Sequence, residues 1–233
     1  MKLFSFILFA LLLIPFSASA QSPGSSAGLP GQDGSSVEAC ATNHNTPPVG
    51  AYYWPPDSDI KVYFVRDMFT PEQRRTLFEA METWNASAQH TGAGVKFTYA
   101  GETDGLNNCQ SCLTITRRDV YKSDRKHYAF FNPLKQYENG LLFSAWIDFD
   151  FATTDPRALQ GFMAHELGHG MGLWDCTTCK KKQTLMNAFP GVNHDNGLVA
   201  PSACDLEVVK QVYSLQRRLP RDIPDGAVVK QRR

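Results

Sequence analysis

Two histidines and a glutamate within five residues, His165-Glu166-Leu167-Gly168-His169, hold the densest chemistry of the 233-residue chain. On a helix, His165 and His169 stand one turn apart on one face, close enough for two imidazoles to grip one metal ion. Glu166 points elsewhere and can reach a water on that metal, which is the H-E-x-x-H arrangement of metal-assisted hydrolysis. Three fixed positions arise by accident in on the order of one chain in a hundred of this length. The continuation, Gly170-Met171-Gly172-Leu173-Trp174-Asp175, gives the motif its specificity. Gly172 can take the left-handed backbone conformation that stops a helix and swings the chain back. Three residues later Asp175 brings an oxygen suited to a zinc ligand, and Thr184-Leu185-Met186-Asn187 follows with a methionine.

This stretch resembles the zinc-binding consensus of the metzincin metallopeptidases, H-E-x-x-H-x-x-G-x-x-H followed by a Met-turn. Asp175 in the last position is similar to the snapalysin-type variant, while the flanking sequence is more similar to matrixins. Astacin-like enzymes carry a tyrosine two residues past the Met-turn methionine; here that position is Ala188. The resemblance implies a secreted zinc endopeptidase in which His165, His169 and Asp175 hold Zn²⁺ and leave a fourth position open to water. Glu166 would be the general base, taking a proton from that water and passing it to the departing amine. Met186 would pack beneath the site without reacting. A carboxylate ligand brings negative charge, so the zinc should be a weaker Lewis acid than under three imidazoles. The implied fold is α+β: a twisted five-stranded mixed sheet with an antiparallel edge strand, an active-site helix, a second long helix and a C-terminal helix. Substrate would lie extended along the edge strand. Structural calcium occurs in matrixin relatives, and Asp148 and Asp150 are the contributors it would draw on here.

Two rival readings bear on the same residues. A thermolysin-like enzyme would take its third ligand from a later helix, where Glu207 is the candidate; Gly172 and Asp175 argue against it. A secreted binding or adhesion module could keep the scaffold without catalysis. Against that stands Glu166, for which a pure metal clip has no chemical need.

The elements that must position these groups are legible from pattern. Residues 60–65 (Ile-Lys-Val-Tyr-Phe-Val) alternate and favour a strand. A helix follows with Thr70 as cap, Pro71 in its first turn and Gln73 completing a capping box; Leu77, Met81, Trp84 and Ala88 form its apolar face. Gly92 and Gly94 end that element before strands at 95–99 and 113–117. Residues 127–133 and 142–149 are two further strand candidates. By the resemblance, 127–131 is the substrate edge, with strand addition as its physics; His127 is not expected to be a ligand. Residues 156–173 form the motif helix, with Leu159, Phe162, Met163 and Leu167 apolar, and its glycines require packing against the sheet to hold it. The loop 188–200, which in the family shapes a substrate pocket, carries His194, read as an exposed loop histidine. Ser202 opens a last helix that buries Leu206, Val209, Val212, Tyr213 and Leu215.

At the level of the whole chain, Met1-Lys2, an apolar run over 3–16 and Ala18-Ser19-Ala20 make residues 1–20 a secretory signal peptide, so the protein is expected to be secreted or periplasmic. No later run approaches the roughly 18 apolar residues of a membrane span. Residues 21–57 are expected to be a flexible leader or short pro-segment, 58–216 the catalytic domain and 217–233 a tail with six basic and two acidic residues. A formal net charge of zero argues against a nucleic-acid partner, and a monomer is expected. The context of Cys40 does not match a latency switch, and the six cysteines of an exported chain should be oxidised, with fifteen pairings open. The spacing Cys109-x-x-Cys112 and Cys176-x-x-Cys179 would also suit a zinc ribbon, which an oxidising compartment disfavours. Asn85-Ala86-Ser87 is a glycosylation sequon, meaningful if the helix exposes it.

Overall fold

In the computed structural model, which describes residues 46–119, 128–137, 139–180, 182–187, 197–216 and 230–231, the alternation at 60–65 becomes β1, Asp59–Val65. Ile60, Val62 and Phe64 are fully buried on its inner face. The helix α1, Pro71–Ala88, begins as its sequence dictates: Thr70 Oγ1 accepts from Gln73 N and the Gln73 side chain accepts from Thr70 N. Its stripe of Leu77, Met81, Trp84 and Ala88 is buried. Gly92 and Gly94 take positive φ in the turn into β2, Lys96–Thr103. β3 is Cys112–Arg118, β4 Ala129–Gln136 and β5 Leu142–Asp150. Two helices follow, α2 at Pro156–Gly170 and α3 at Ala203–Gln216, and a two-residue β6, Lys230–Gln231.

The strands form one mixed sheet in the order β2-β1-β3-β5-β4-β6. β1 is parallel to β2 and β3, and β3 to β5. β4 runs antiparallel to β5, so the five main strands give the expected sheet with its antiparallel outer strand. β6 adds to the far side of β4 only at Lys135 and Gln136. The helices α1 and α2 are joined through the core by Trp84, whose Nε1 donates to Ala164 O at 2.7 Å. Asn85 staples α1 to β2: its Nδ2 donates to Phe97 O and its Oδ1 accepts from Phe97 N. That amide is thereby committed to the strand, which leaves the Asn85 sequon poorly placed for a glycan.

Residues 46–57, read from composition as the end of a leader, are built into this core. Tyr52 and Tyr53 are buried and Trp54 is fully so; burying one such indole contributes on the order of 3 kcal/mol. The backbone of this strap bonds to the end of α2 and the chain beyond it, through Gly50 N to Gly172 O (2.8 Å), Trp54 N to Gly170 O (3.0 Å) and Trp174 N to Pro48 O (2.8 Å). Leu142 N donates to Tyr53 O, tying the strap to the start of β5. Tyr213 of α3 closes the other side by donating to Trp54 O at 3.1 Å. Proline and polar neighbours mask, in the sequence, three consecutive aromatics that are buried in the fold.

Smaller departures have local causes. The helix α2 stops at Gly170, short of residue 173, because the Met171 amide caps it and Gly172, at φ 88°, turns the chain. On α3, Leu215 is 61% exposed, whereas Val208 joins Val209, Val212 and Tyr213 in the core. Disulfides join Cys109 to Cys112 and Cys176 to Cys179, so each C-x-x-C closes on itself and neither is a ribbon half-site. Cys204 is also disulfide-bonded. Among the described residues no helix is long and apolar enough to cross a membrane. The signal peptide, the leader through residue 45 with Cys40, His127, Ala188, His194 and the tail apart from 230–231 lie outside the described residues.

Candidate metal centre

The helix α2 is launched by Asp155, whose Oδ2 accepts from Ala158 N at 2.7 Å, with Pro156 in its first turn. His165, Glu166 and His169 lie in its last turns. The glycines that weaken this helix are its points of closest packing. A Cβ on Gly168 would lie 2.5 Å from Met186 Sδ, and one on Gly170 would lie 2.7 Å from Trp54 Nε1. Met186 is fully buried and therefore seated directly under the turn that carries both histidines.

Each imidazole has its Nδ1 turned to a backbone carbonyl, that of His165 to Leu185 O at 2.9 Å and that of His169 to Leu173 O at 3.1 Å. A carbonyl only accepts, so Nδ1 carries the hydrogen in both rings and Nε2 is left for a ligand. The chain returning past Gly172 places Asp175 Oδ1 3.1 Å from His165 Nε2 and 3.6 Å from His169 Nε2. Donors around a tetrahedral zinc with bonds of about 2.0–2.1 Å are ~3.3 Å apart, and these two separations bracket that value. Glu166 Oε2 lies 3.9 Å from His169 Nε2. The donor atoms of His165, Glu166 and His169 all lie within 4.8 Å of one another, so the group could hold a metal ion. Of the two carboxylates, Asp175 Oδ1 is the nearer to His169 Nε2, at 3.6 Å against 3.9 Å for Glu166 Oε2.

The charges of the metal-free cluster follow from the same geometry. For His165, burial pulls the imidazolium down, but the hydrogen bond its Nε2–H donates to Asp175 and the charges of Glu166 and Asp175 outweigh it and raise its pKa to about 9. Burial, reinforced by the charge of His165, lowers His169 to about 4. Burial raises Glu166 to about 7 against the opposing charge of His165, and the Phe131 backbone contributes a hydrogen bond that favours the ionised form. A carboxyl held near neutrality can both accept and return a proton.

The cluster opens into a cleft of about 150 Å³ walled largely by aromatic rings: Tyr52 from the strap, Tyr128, Phe130 and Phe131 around β4, Phe162 from α2, and Trp174. Tyr128 and Phe162 stack at 5.3 Å, and Tyr52 stacks on Phe131 at 5.6 Å. Phe130 and Trp174, each 44% exposed, form the rim. All four motif residues, His165, Glu166, His169 and Asp175, are thus brought together, with Met186 beneath and Gly172 at the turn.

Other groups fall elsewhere. Asp148 is taken up by Arg118, by Trp146 Nε1 at 2.6 Å and by Asn132 Nδ2 at 3.0 Å, and Asp150 Oδ1 accepts from Ala152 N. Carboxylates so engaged give no support to a calcium site. Glu207 pairs with Lys210 on α3 and accepts from Gln211. Sequence reasoning missed Tyr52, hidden in the apparent leader, and Asp205, fully buried at the start of α3. Asp205 accepts from Leu185 N at 2.8 Å, from Ser202 N at 2.7 Å and from Thr184 Oγ1, and so anchors Leu185, the residue whose carbonyl meets His165. The pattern Ser202-x-x-Asp205 at a helix start was the signal available for it.

No protein-family model matches the sequence, and no curated protein sequence does. Among solved structures the chain is similar to metalloproteinase-II from Bacteroides fragilis, at 14% identity over 76% of this chain and 60% of that one, with a TM-score of 0.42. It is similar to myroilysin at 12% identity, covering 73% and 83% of the two chains, TM-score 0.40. It is also similar to archaemetzincin from Methanopyrus kandleri at 15% identity, covering 72% and 98%, TM-score 0.42. The chain therefore spans less than two thirds of the length of the first of these. Likeness of this degree says nothing about which residues act; the site stands on the distances above.

Proposed function

We propose that this chain is an exported, zinc-dependent endopeptidase of metzincin type, carrying the snapalysin-like aspartate, that hydrolyses peptide bonds in proteins. The observation that carries the reading is the convergence of His165 Nε2, His169 Nε2 and Asp175 Oδ1, with the Glu166 carboxyl beside them. In this reading His165, His169 and Asp175 hold the ion. Zinc bound there supplies Lewis acidity toward the scissile carbonyl and an acidified water, together worth several kcal/mol of barrier.

The protein's own residues do the rest. Glu166, whose Oε2 faces His169, takes a proton and later delivers it to the departing amine. Leu185 O and Leu173 O hold the rings in the tautomer that keeps Nε2 available. The aromatic rings lining the cleft surround the transfer with largely apolar surface. Substrate is read as lying extended along β4, past Phe130 at the rim of the cleft, with strand addition as the physics. Export is supported by the pattern at residues 1–20 and by the oxidised cysteines.

The test is Glu166→Gln, which keeps size and removes the base. Zinc content should stay at that of the wild type, while kcat/KM on an unfolded protein substrate falls by ~10²–10⁴. Cleavage by the wild type should stop with a chelator. Cleavage that ignores chelator, or full activity in Glu166→Gln, would overturn the reading; bound zinc with no cleavage of any peptide library would favour the binding module.

A further inference from the structure

The three residues read as ligands are not held alike. His165 and His169 sit on α2 with their Nδ1 atoms bonded to carbonyls. Asp175 lies outside any helix or strand, and its side chain is 43% exposed. With a single methylene between Cα and carboxyl, its reach is set almost wholly by where the backbone puts it. The chain on both sides is anchored. Trp174 N donates to Pro48 O, and Cys176 N donates to Met186 O at 2.7 Å, where Cys176 and Asn187 form a parallel bridge.

Beyond Cys176 the chain is closed at once by the Cys176–Cys179 disulfide, with Cα atoms 5.5 Å apart. Asn187 then grips the closed loop, its Nδ2 donating to Cys179 O at 2.6 Å and to Lys180 O at 3.2 Å. Cys176, Cys179 and Asn187 are all at least 98% buried. Cross-linking so short a loop gives little general stabilisation, because the chain-entropy gain grows with the logarithm of loop length. Its effect is local. The same turn that receives this loop also supplies Leu185 O to His165 and seats Met186 under Gly168. The positions of His165 and Asp175 are thereby both referred to one buried turn.

We infer that the Cys176–Cys179 loop, locked by Asn187 to the turn at Leu185–Asn187, positions Asp175 as the third metal ligand; this rests on the zinc reading above. Cys176, Cys179 and Asn187 are positioning residues that never touch the ion, and they serve the short carboxylate by fixing its backbone.

The experiment measures zinc affinity of the purified, oxidised full chain by competition with a chromophoric chelator, and the visible spectrum of its Co²⁺ form. The variant C176S/C179S should bind zinc ~10–100-fold more weakly, the range for groups that orient a ligand. Its Co²⁺ spectrum should move toward that of Asp175→Ala. In the Asp175→Ala background the same pair of changes should give no further loss, since a positioning role must be non-additive with the residue positioned. C109S/C112S, a matched disulfide far along the chain, should stay within about threefold of wild type. Asn187→Ala loosens the loop with the disulfide intact and carries the test should C176S/C179S not fold. Wild-type affinity in folded C176S/C179S or in Asn187→Ala, or full additivity with Asp175→Ala, would overturn the inference. Unchanged affinity and spectrum in Asp175→Ala itself would instead remove the ligand assignment on which it rests.

Discussion

A metal ion entering the cluster must displace a proton from His165. In the metal-free protein that ring is held protonated by Asp175 and Glu166 up to about pH 9, against an ordinary value of 6.5. His169, lowered to about 4, is already neutral at pH 7 and gives up nothing. Competition between one proton and one metal ion makes apparent affinity rise about tenfold per pH unit while His165 stays protonated, and level off above its pKa. Apparent zinc affinity should therefore climb from pH 7 toward pH 9 and then flatten. Titration calorimetry near pH 7.5, in two buffers of different ionisation heat, should read about one proton released from His165. The same raised pKa stabilises the chelated fold fully below about pH 6.5, and that contribution is lost as pH rises through about 9. An affinity that does not change over this range would mean that His165 and Asp175 are not paired in solution.

Between elements, the decisive joint is the start of α3 against the turn at Thr184–Asn187. Asp205 holds that joint by accepting from Leu185 N, Ser202 N and Thr184 Oγ1, although burial pushes its pKa up. Asp205→Ala would leave these buried donors without an acceptor, a loss of about 3–5 kcal/mol. For a domain of this size that is a fall in Tm of ~10 °C, with Asp205→Asn losing less. Thermal melts of chelated protein read this directly; a melt unchanged in Asp205→Ala would show that the joint does not hold the fold. The sequence exposed such elements unevenly. The capping box at Thr70 and the stripe from Leu77 to Ala88 are local rules acting on local residues, and they survive folding unaltered. The motif was equally legible, because helix geometry alone brings His165 and His169 together and Gly172 turns the chain to deliver Asp175. Asp205 and the carbonyl of Leu185 were not, since their partners lie 20 residues away and depend on how α3 docks. Leu215 was misplaced for a related reason, as helical periodicity does not say which flank of a stripe meets the sheet.

For the molecule as a unit, the open question is where the functional domain starts. Composition places the end of a removable leader near residue 57, and removal of a pro-segment is a common way to activate a peptidase. The packing argues the reverse for residues 46–57. Tyr52 lines the cleft, Trp54 fills the space against Gly170 behind the motif helix, and the backbone of Pro48 and Gly50 fastens the chain on either side of Leu173. Truncating one buried aromatic of this kind costs about 3–5 kcal/mol. Deleting Tyr52, Tyr53 and Trp54 together therefore removes as much as the whole stability of a typical domain, about 5–15 kcal/mol. A chain beginning at Gln32, which keeps the whole strap, should melt cooperatively and bind zinc with the affinity of the full chain. One beginning at Ser58 should show no cooperative melt, bind a hydrophobic dye and hold zinc at least ~100-fold more weakly, because the return path that brings Asp175 to the histidines loses its anchor. Trp54→Ala should fall between them, folded but with a lower Tm. Should the Ser58 chain instead prove folded and more active than the Gln32 chain, the strap would be an inhibitor laid over the site. Its hydrogen bonds to Gly170, Gly172 and Trp174 would then belong to a latent state.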